Sequence, residues 1–184
     1  MLDPLITKAI SVGMGVMFLV AAYHKLAEGP SFRVTLLEYQ LLPEVLVSPM
    51  SRLLPLLELL LGASWLLAFY QQSITAIGSA ILLGMYAFAI GINLMRGRHY
   101  IDCGCGFGGK SDSEQFLSGG LVMRNLILVA LALLTLLPAI DRTLGFGDYA
   151  TLAATLFATT LLFGASNQLI SNRASINTWR KNSG

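Results

Sequence analysis

The chain's only two cysteines, Cys103 and Cys105, stand one residue apart in the stretch Arg96-Gly-Arg-His-Tyr-Ile-Asp-Cys-Gly-Cys-Gly-Phe-Gly-Gly-Lys110. Cysteines that flank one residue have α-carbons roughly 5.5–7 Å apart, which overlaps the disulfide range of about 4.4–6.8 Å only where the backbone folds slightly inward. Gly104 permits that fold. The resulting ring is small and strained, and strain makes a disulfide easier to reduce, so the pattern suits a bond that is made and broken repeatedly. Arg96, Arg98 and Lys110 supply positive potential that favours a thiolate, and Asp102 opposes it. A second chemistry is open to the same residues. His99, Cys103 and Cys105 offer one imidazole and two thiolates, enough for a soft ion such as Cu(I), whereas a closed zinc site wants four ligands. Two inert thiols are the third alternative.

Further candidates lie in apolar surroundings. Glu58 is costly as a lone carboxylate at bilayer depth, so it is expected to face the interior and meet a partner. Arg124, next to Asn125, is the expected partner by depth, unless both charges simply reach out to the interface. His24 and Lys25 end the first apolar segment, where cations complement the helix dipole, and a structural role is expected for them. Trp65, Tyr70, Tyr23, Tyr39 and Tyr100 read as interface anchors.

The elements that position these residues are helices in a membrane. Of 184 residues 55% are hydrophobic and only 12% are charged, against roughly 25% charged in ordinary soluble domains. Two cysteines and 184 residues supply no framework for a disulfide-stapled secreted fold, a disordered tail or a large multi-domain enzyme. The net charge of +2 and the lack of a basic run argue against nucleic acid as a partner. We expect an all-α, integral membrane helical bundle forming one domain over residues 1–184, with about five transmembrane helices at about 5–27, 53–70, 74–95, 121–140 and 149–170. A four-helix core plus one peripheral helix is the alternative. Asp3 and Pro4 read as the start of the first helix, and Pro55 as a first-turn proline of the second. Gly29-Pro30-Ser31 announces a short interfacial helix in the first long connection; the second long connection, 96–120, carries the cysteines. With five crossings both connections fall on one side.

Which side that is depends on the argument used. Ten basic residues lie on the cysteine side, and only Lys8 and Arg142 near the other, which by the positive-inside rule places the cysteines in the cytoplasm. Disulfide chemistry favours the outer face, where thiols are oxidised.

The stretch Phe18-Leu-Val-Ala-Ala-Tyr-His-Lys25, then Phe32, Glu38-Tyr-Gln-Leu-Leu-Pro43, Leu54-Pro-Leu-Leu-Glu-Leu-Leu-Leu-Gly62, the Cys-Gly-Cys loop and Arg124-Asn125 occur in that order. Together they resemble the MauE family of methylamine-utilization proteins, grouped with DoxX-like redox-associated membrane proteins, over about residues 10–140. The family usually has phenylalanine directly after Cys-Gly-Cys, where this chain has Gly106. The last forty or so residues carry no family motif.

The resemblance implies a multi-pass protein of the bacterial cytoplasmic membrane that supports disulfide formation in, and maturation of, an exported enzyme. It implies a thioredoxin-like extracytoplasmic partner, with other membrane or periplasmic subunits as candidates beside the lipid bilayer. Cys103 and Cys105 inherit the redox role, as a thiol-disulfide oxidoreductase, while Lys25, Glu58 and Arg124 inherit only membership of the motif. This role tips the cysteines toward the outer face. By analogy of fold alone, the bundle is similar to quinone reductases of the vitamin K epoxide reductase type. No cofactor is specified; a membrane quinone is a candidate co-substrate, and no residue marks its site. A non-catalytic anchor or accessory subunit of a larger complex, or a Cys/His metal-binding membrane protein, is the alternative function.

Overall fold

A computed structural model describes residues 2–67, 72–97, 119–138, 140, 145–158 and 161. The regular structure of these residues is helical: α1 Pro4–Ala27, α2 Gly29–Tyr39, α3 Glu44–Leu67, α4 Gln72–Met95 and α5 Gly119–Leu134, followed by helical residues 146–158. α1, α3 and α4 are each long and apolar enough to cross a membrane, and α5 is a shorter apolar helix. The protein is an all-α membrane helical bundle.

α1 starts as its sequence indicates. The Asp3 carboxylate accepts a hydrogen bond from the Leu5 amide at 2.9 Å, with Pro4 occupying the first turn, where its missing N–H costs nothing. The short helix expected after Gly29 is α2. Phe32, Thr35 and Tyr39 turn one of its faces onto the bundle, and Gln40, in the left-handed region at φ 48°, ends it.

Three boundaries differ from expectation. α3 begins at Glu44 rather than near Leu53 and runs through Pro49 and Pro55. Prolines inside a helix each remove one backbone hydrogen bond, yet apolar spanning helices tolerate them where neighbouring groups compensate. Pro55 lies well inside α3, so it is a mid-helix proline and not a first-turn one, and it is buried against the bundle. α5 ends at Leu134, short of the expected 140, and passes into turns before Pro138. Of the fifth expected helix, 149–170, only the part up to 158 and residue 161 is described, and it begins earlier, at 146.

Antiparallel contacts set the topology. Gly15 approaches Leu66, Gly62 approaches Leu19 and Lys25 meets Glu58, so α3 runs back along α1. Trp65 donates to the Ser79 hydroxyl at 2.9 Å and Tyr86 donates to Glu58 at 2.8 Å, so α4 runs back along α3. These two polar pairs are spaced seven residues apart on each helix, about 10.5 Å along the axis, and so pin the register of the hairpin. Backbone bonds from the Leu2 amide to Pro138 and from the Ile140 amide to Leu2 hold the end of α5 beside the start of α1. The end of α1, all of α2, the start of α3, the end of α4 and the start of α5 therefore share one end of the bundle. Both long connections leave from that end, on the same side as expected.

The α1–α3 crossing depends on two glycines. A methyl group at Gly62 would lie 2.9 Å from the Leu19 side chain and 3.0 Å from the Leu19 backbone nitrogen, and one at Gly15 would lie 2.7 Å from Leu66. Gly62→Val is accordingly expected to destabilise the bundle by about 1–3 kcal/mol through overpacking. Gly84→Val, whose position has open space around it, serves as the control. Equal unfolding midpoints for the two variants in mixed micelles would remove the close crossing from the argument.

Candidate functional site

Burial along each helix follows a stripe, and the charged residues of interest lie on the stripes. On α1 the buried positions are Met14, Gly15, Phe18, Ala22 and Lys25. On α3 they include Leu54, Glu58, Gly62 and Trp65. Spacings of three, four and seven residues place Lys25 and Glu58 on the faces that α1 and α3 turn toward each other. Glu58 is 1% exposed and Lys25 6%.

The Lys25 ammonium forms an ion pair with Glu58 Oε1. The Tyr86 hydroxyl, from α4, donates to the same oxygen at 2.8 Å and accepts from Lys25 Nζ at 3.3 Å. Three helices thus meet in a closed triangle of hydrogen bonds. Lys25 Nζ also lies 4.5 Å from the centroid of the Tyr86 ring and 5.2 Å from that of Phe32, where the ring faces attract a cation. A desolvated ammonium and a desolvated carboxylate are each costly, and their mutual pairing offsets much of that cost in an apolar interior. Among the described residues, Glu58 Oε2 accepts no hydrogen bond, which leaves the carboxylate with unused acceptor capacity.

The expectation that Glu58 pairs with Arg124 is corrected: its partner is Lys25. Arg124 is half-buried on α5, and the buried position beside it is Asn125, 3% exposed, whose amide donates to the Leu121 carbonyl within the helix at 3.0 Å. Depth in the membrane suggested Arg124, but depth does not say which helices are neighbours. Lys25 lies in the last turn of α1, as a cation suited to the helix dipole does, and its place on the stripe of Phe18 and Ala22 is the signal that it points inward. Tyr86 was missed because a tyrosine in an apolar helix carries no mark of its partner. Trp65, 5% exposed and bonded to Ser79, and Tyr39, 9% exposed, are interior residues and not interface anchors, whereas Tyr23 is 70% exposed. The cysteine pair and the alternative metal set, His99, Cys103 and Cys105, lie outside the described residues.

Next to the triangle is a cavity of about 420 Å³. Lys25 and Tyr86 form its polar end, Phe32, Thr35 and Tyr39 of α2 line it, and Leu41 and Leu42 of the α2–α3 turn line it too. Its α4 wall runs from Met85 to Ile92, toward the end of the helix from which the cysteine connection leaves. The arrangement can hold a small molecule whose body is apolar and whose polar atom accepts a hydrogen bond.

The family model of the methylamine utilisation protein MauE matches residues 3–138, a span that contains α1–α5. The chain is 32% identical to the methylamine utilization protein MauE of Paracoccus denitrificans over 178 residues, covering 96% of this chain and 89% of that protein. It is 34% identical to MauE of Paracoccus versutus, covering 81% of this chain and 78% of that one. With MauE of Methylorubrum extorquens the identity is 31%, over 89% and 87% of the two chains. The first of these alignments takes in most of the C-terminal stretch as well, where no motif was visible in the sequence. No solved structure matches the chain. On the family match and these relatives, the chain belongs to the MauE family of membrane proteins.

Proposed function

We propose that this protein is a membrane thiol-disulfide exchange protein of the bacterial cytoplasmic membrane. In this reading Cys103 and Cys105 cycle between dithiol and disulfide against a thioredoxin-like extracytoplasmic partner, in support of the maturation of an exported enzyme. The names of the methylamine utilization relatives support a setting in methylamine utilization. The observation that carries the reading is the cysteine pattern: the only two thiols of the chain stand on either side of a glycine. A pair that close forms an intramolecular bond that a partner thiolate can open. The bundle supports it by bringing α2, the end of α4 and the start of α5 to one end, so that the apolar cavity lies toward the end of α4 from which the cysteine connection leaves. In this reading Cys103 and Cys105 act together, and the Lys25–Glu58–Tyr86 triangle ties α1, α3 and α4 to one another.

Labelling of intact cells with a membrane-impermeant maleimide tests orientation and redox state together. Cys103 and Cys105 are expected to be unreactive as isolated, because they are joined, and to label fully after a mild reductant, without breaking the cells. Labelling that appears only after the cells are broken puts the thiols in the cytoplasm, where the glutathione poise opposes a strained disulfide. That outcome favours a non-catalytic membrane anchor of a larger complex.

A further inference from the structure

We propose that the cavity beside Lys25 is a binding site for a membrane quinone, whose carbonyl oxygen accepts a hydrogen bond from the Lys25 ammonium. Four observations define the ligand. The first is the donor. An ammonium has three N–H groups; among the described residues those of Lys25 have two acceptors, Glu58 Oε1 and the Tyr86 hydroxyl, which leaves one N–H for a ligand in the cavity that Lys25 lines.

The second is charge. Glu58 already neutralises Lys25, so an anionic headgroup would add an uncompensated charge to a buried site, while a carbonyl oxygen leaves the balance intact. The third is shape. Phe32, Tyr39, Tyr86 and Phe88 line the cavity, and aromatic faces suit a planar unsaturated ring. Its volume of about 420 Å³ falls in the ~300–1,000 Å³ range of small-molecule sites. The fourth is access. Met85 and Phe88, on the wall of the cavity, are 46% and 70% exposed on the outer face of a spanning helix, so the site opens toward the acyl chains, where an isoprenoid tail resides.

Binding stands on these residues alone; the electron step rests on the dithiol reading of Cys103 and Cys105. In that step the two thiols lose two electrons and two protons as the S–S bond forms. The quinone gains both, and its two carbonyl oxygens become the two hydroxyls of the quinol. The exchange thus balances with no other oxidant.

The test uses the full chain in micelles, with a naphthoquinone and a benzoquinone each carrying one isoprenoid unit as probes and oleate as the anionic competitor. One saturable site per chain is expected. Lys25→Met combined with Glu58→Gln, which removes the donor and keeps the interior neutral, should weaken binding about tenfold or more. Ala89→Phe, which fills the cavity, should do the same, and circular dichroism checks that each variant keeps its helices. The double serine variant of Cys103 and Cys105 should bind as well as the native chain. Absence of saturable binding, unchanged affinity in folded forms of both cavity variants, or displacement by oleate at equal affinity overturns the site. Cavity-dependent binding in a reduced protein that the bound quinone does not oxidise upholds the site and removes the dithiol reading instead.

Discussion

Lys25→Met and Glu58→Gln are each expected to destabilise the bundle by about 3–5 kcal/mol, and the double variant by much less than the sum. Each single change leaves a buried polar group facing a partner that no longer balances it. Lys25→Met strands a carboxylate that is 1% exposed, with the Tyr86 hydroxyl as its remaining donor. Glu58→Gln strands an ammonium that is 6% exposed, with only a neutral amide and the Tyr86 oxygen near it. In the double variant no charge remains to be desolvated, and methionine retains most of the lysine's volume. Reversible unfolding in mixed micelles of increasing denaturing-detergent content measures the three values. Arg124→Gln, tested in the same cycle against Glu58→Gln, should be additive, since Glu58 pairs with Lys25 instead. Additive losses for Lys25 and Glu58 would show that the two are not coupled.

Cys103→Ser or Cys105→Ser is expected to abolish dithiol oxidation and partner exchange altogether, leaving only background. A lone thiol can still attack a partner's disulfide, but the mixed disulfide it forms has no second thiol on this chain to resolve it. One of the two variants should therefore accumulate a covalent adduct with a thioredoxin-like partner that disappears under reductant. The variant that does so retains the attacking residue. Serine is close to cysteine in size, so the helical content should stay unchanged and the loss is chemical. Native exchange rates in the double serine variant would sink the redox assignment.

Much of the fold was legible because a membrane imposes few solutions. Long apolar runs must be helices, since every backbone N–H and C=O in hydrocarbon has to be satisfied within its own segment. Asp3 and Pro4 marked the start of α1, and Gly29-Pro30 the start of α2, through local capping chemistry that needs no tertiary context. The start of α3 was misplaced for the complementary reason. Pro55 has the features of a first-turn proline, and only the continuation of α3 back to Glu44, through Pro49, shows it to be interior.

The membrane class, the two long connections on one side, the inward face of Glu58 and the placing of the two cysteines on either side of Gly104 are legible in the amino-acid order alone. These depend on hydropathy, on periodicity within one helix and on the reach of three consecutive residues. The pairing of Glu58 with Lys25, the closing of the triangle by Tyr86 and the cavity beside it emerge only once the helices are packed together. Periodicity fixes which face of a helix is buried but not which helix it faces. That choice is made where α1 and α3 meet at Gly15 and Gly62, whose missing side chains let the two backbones approach and so bring the Lys25 side chain within reach of α3.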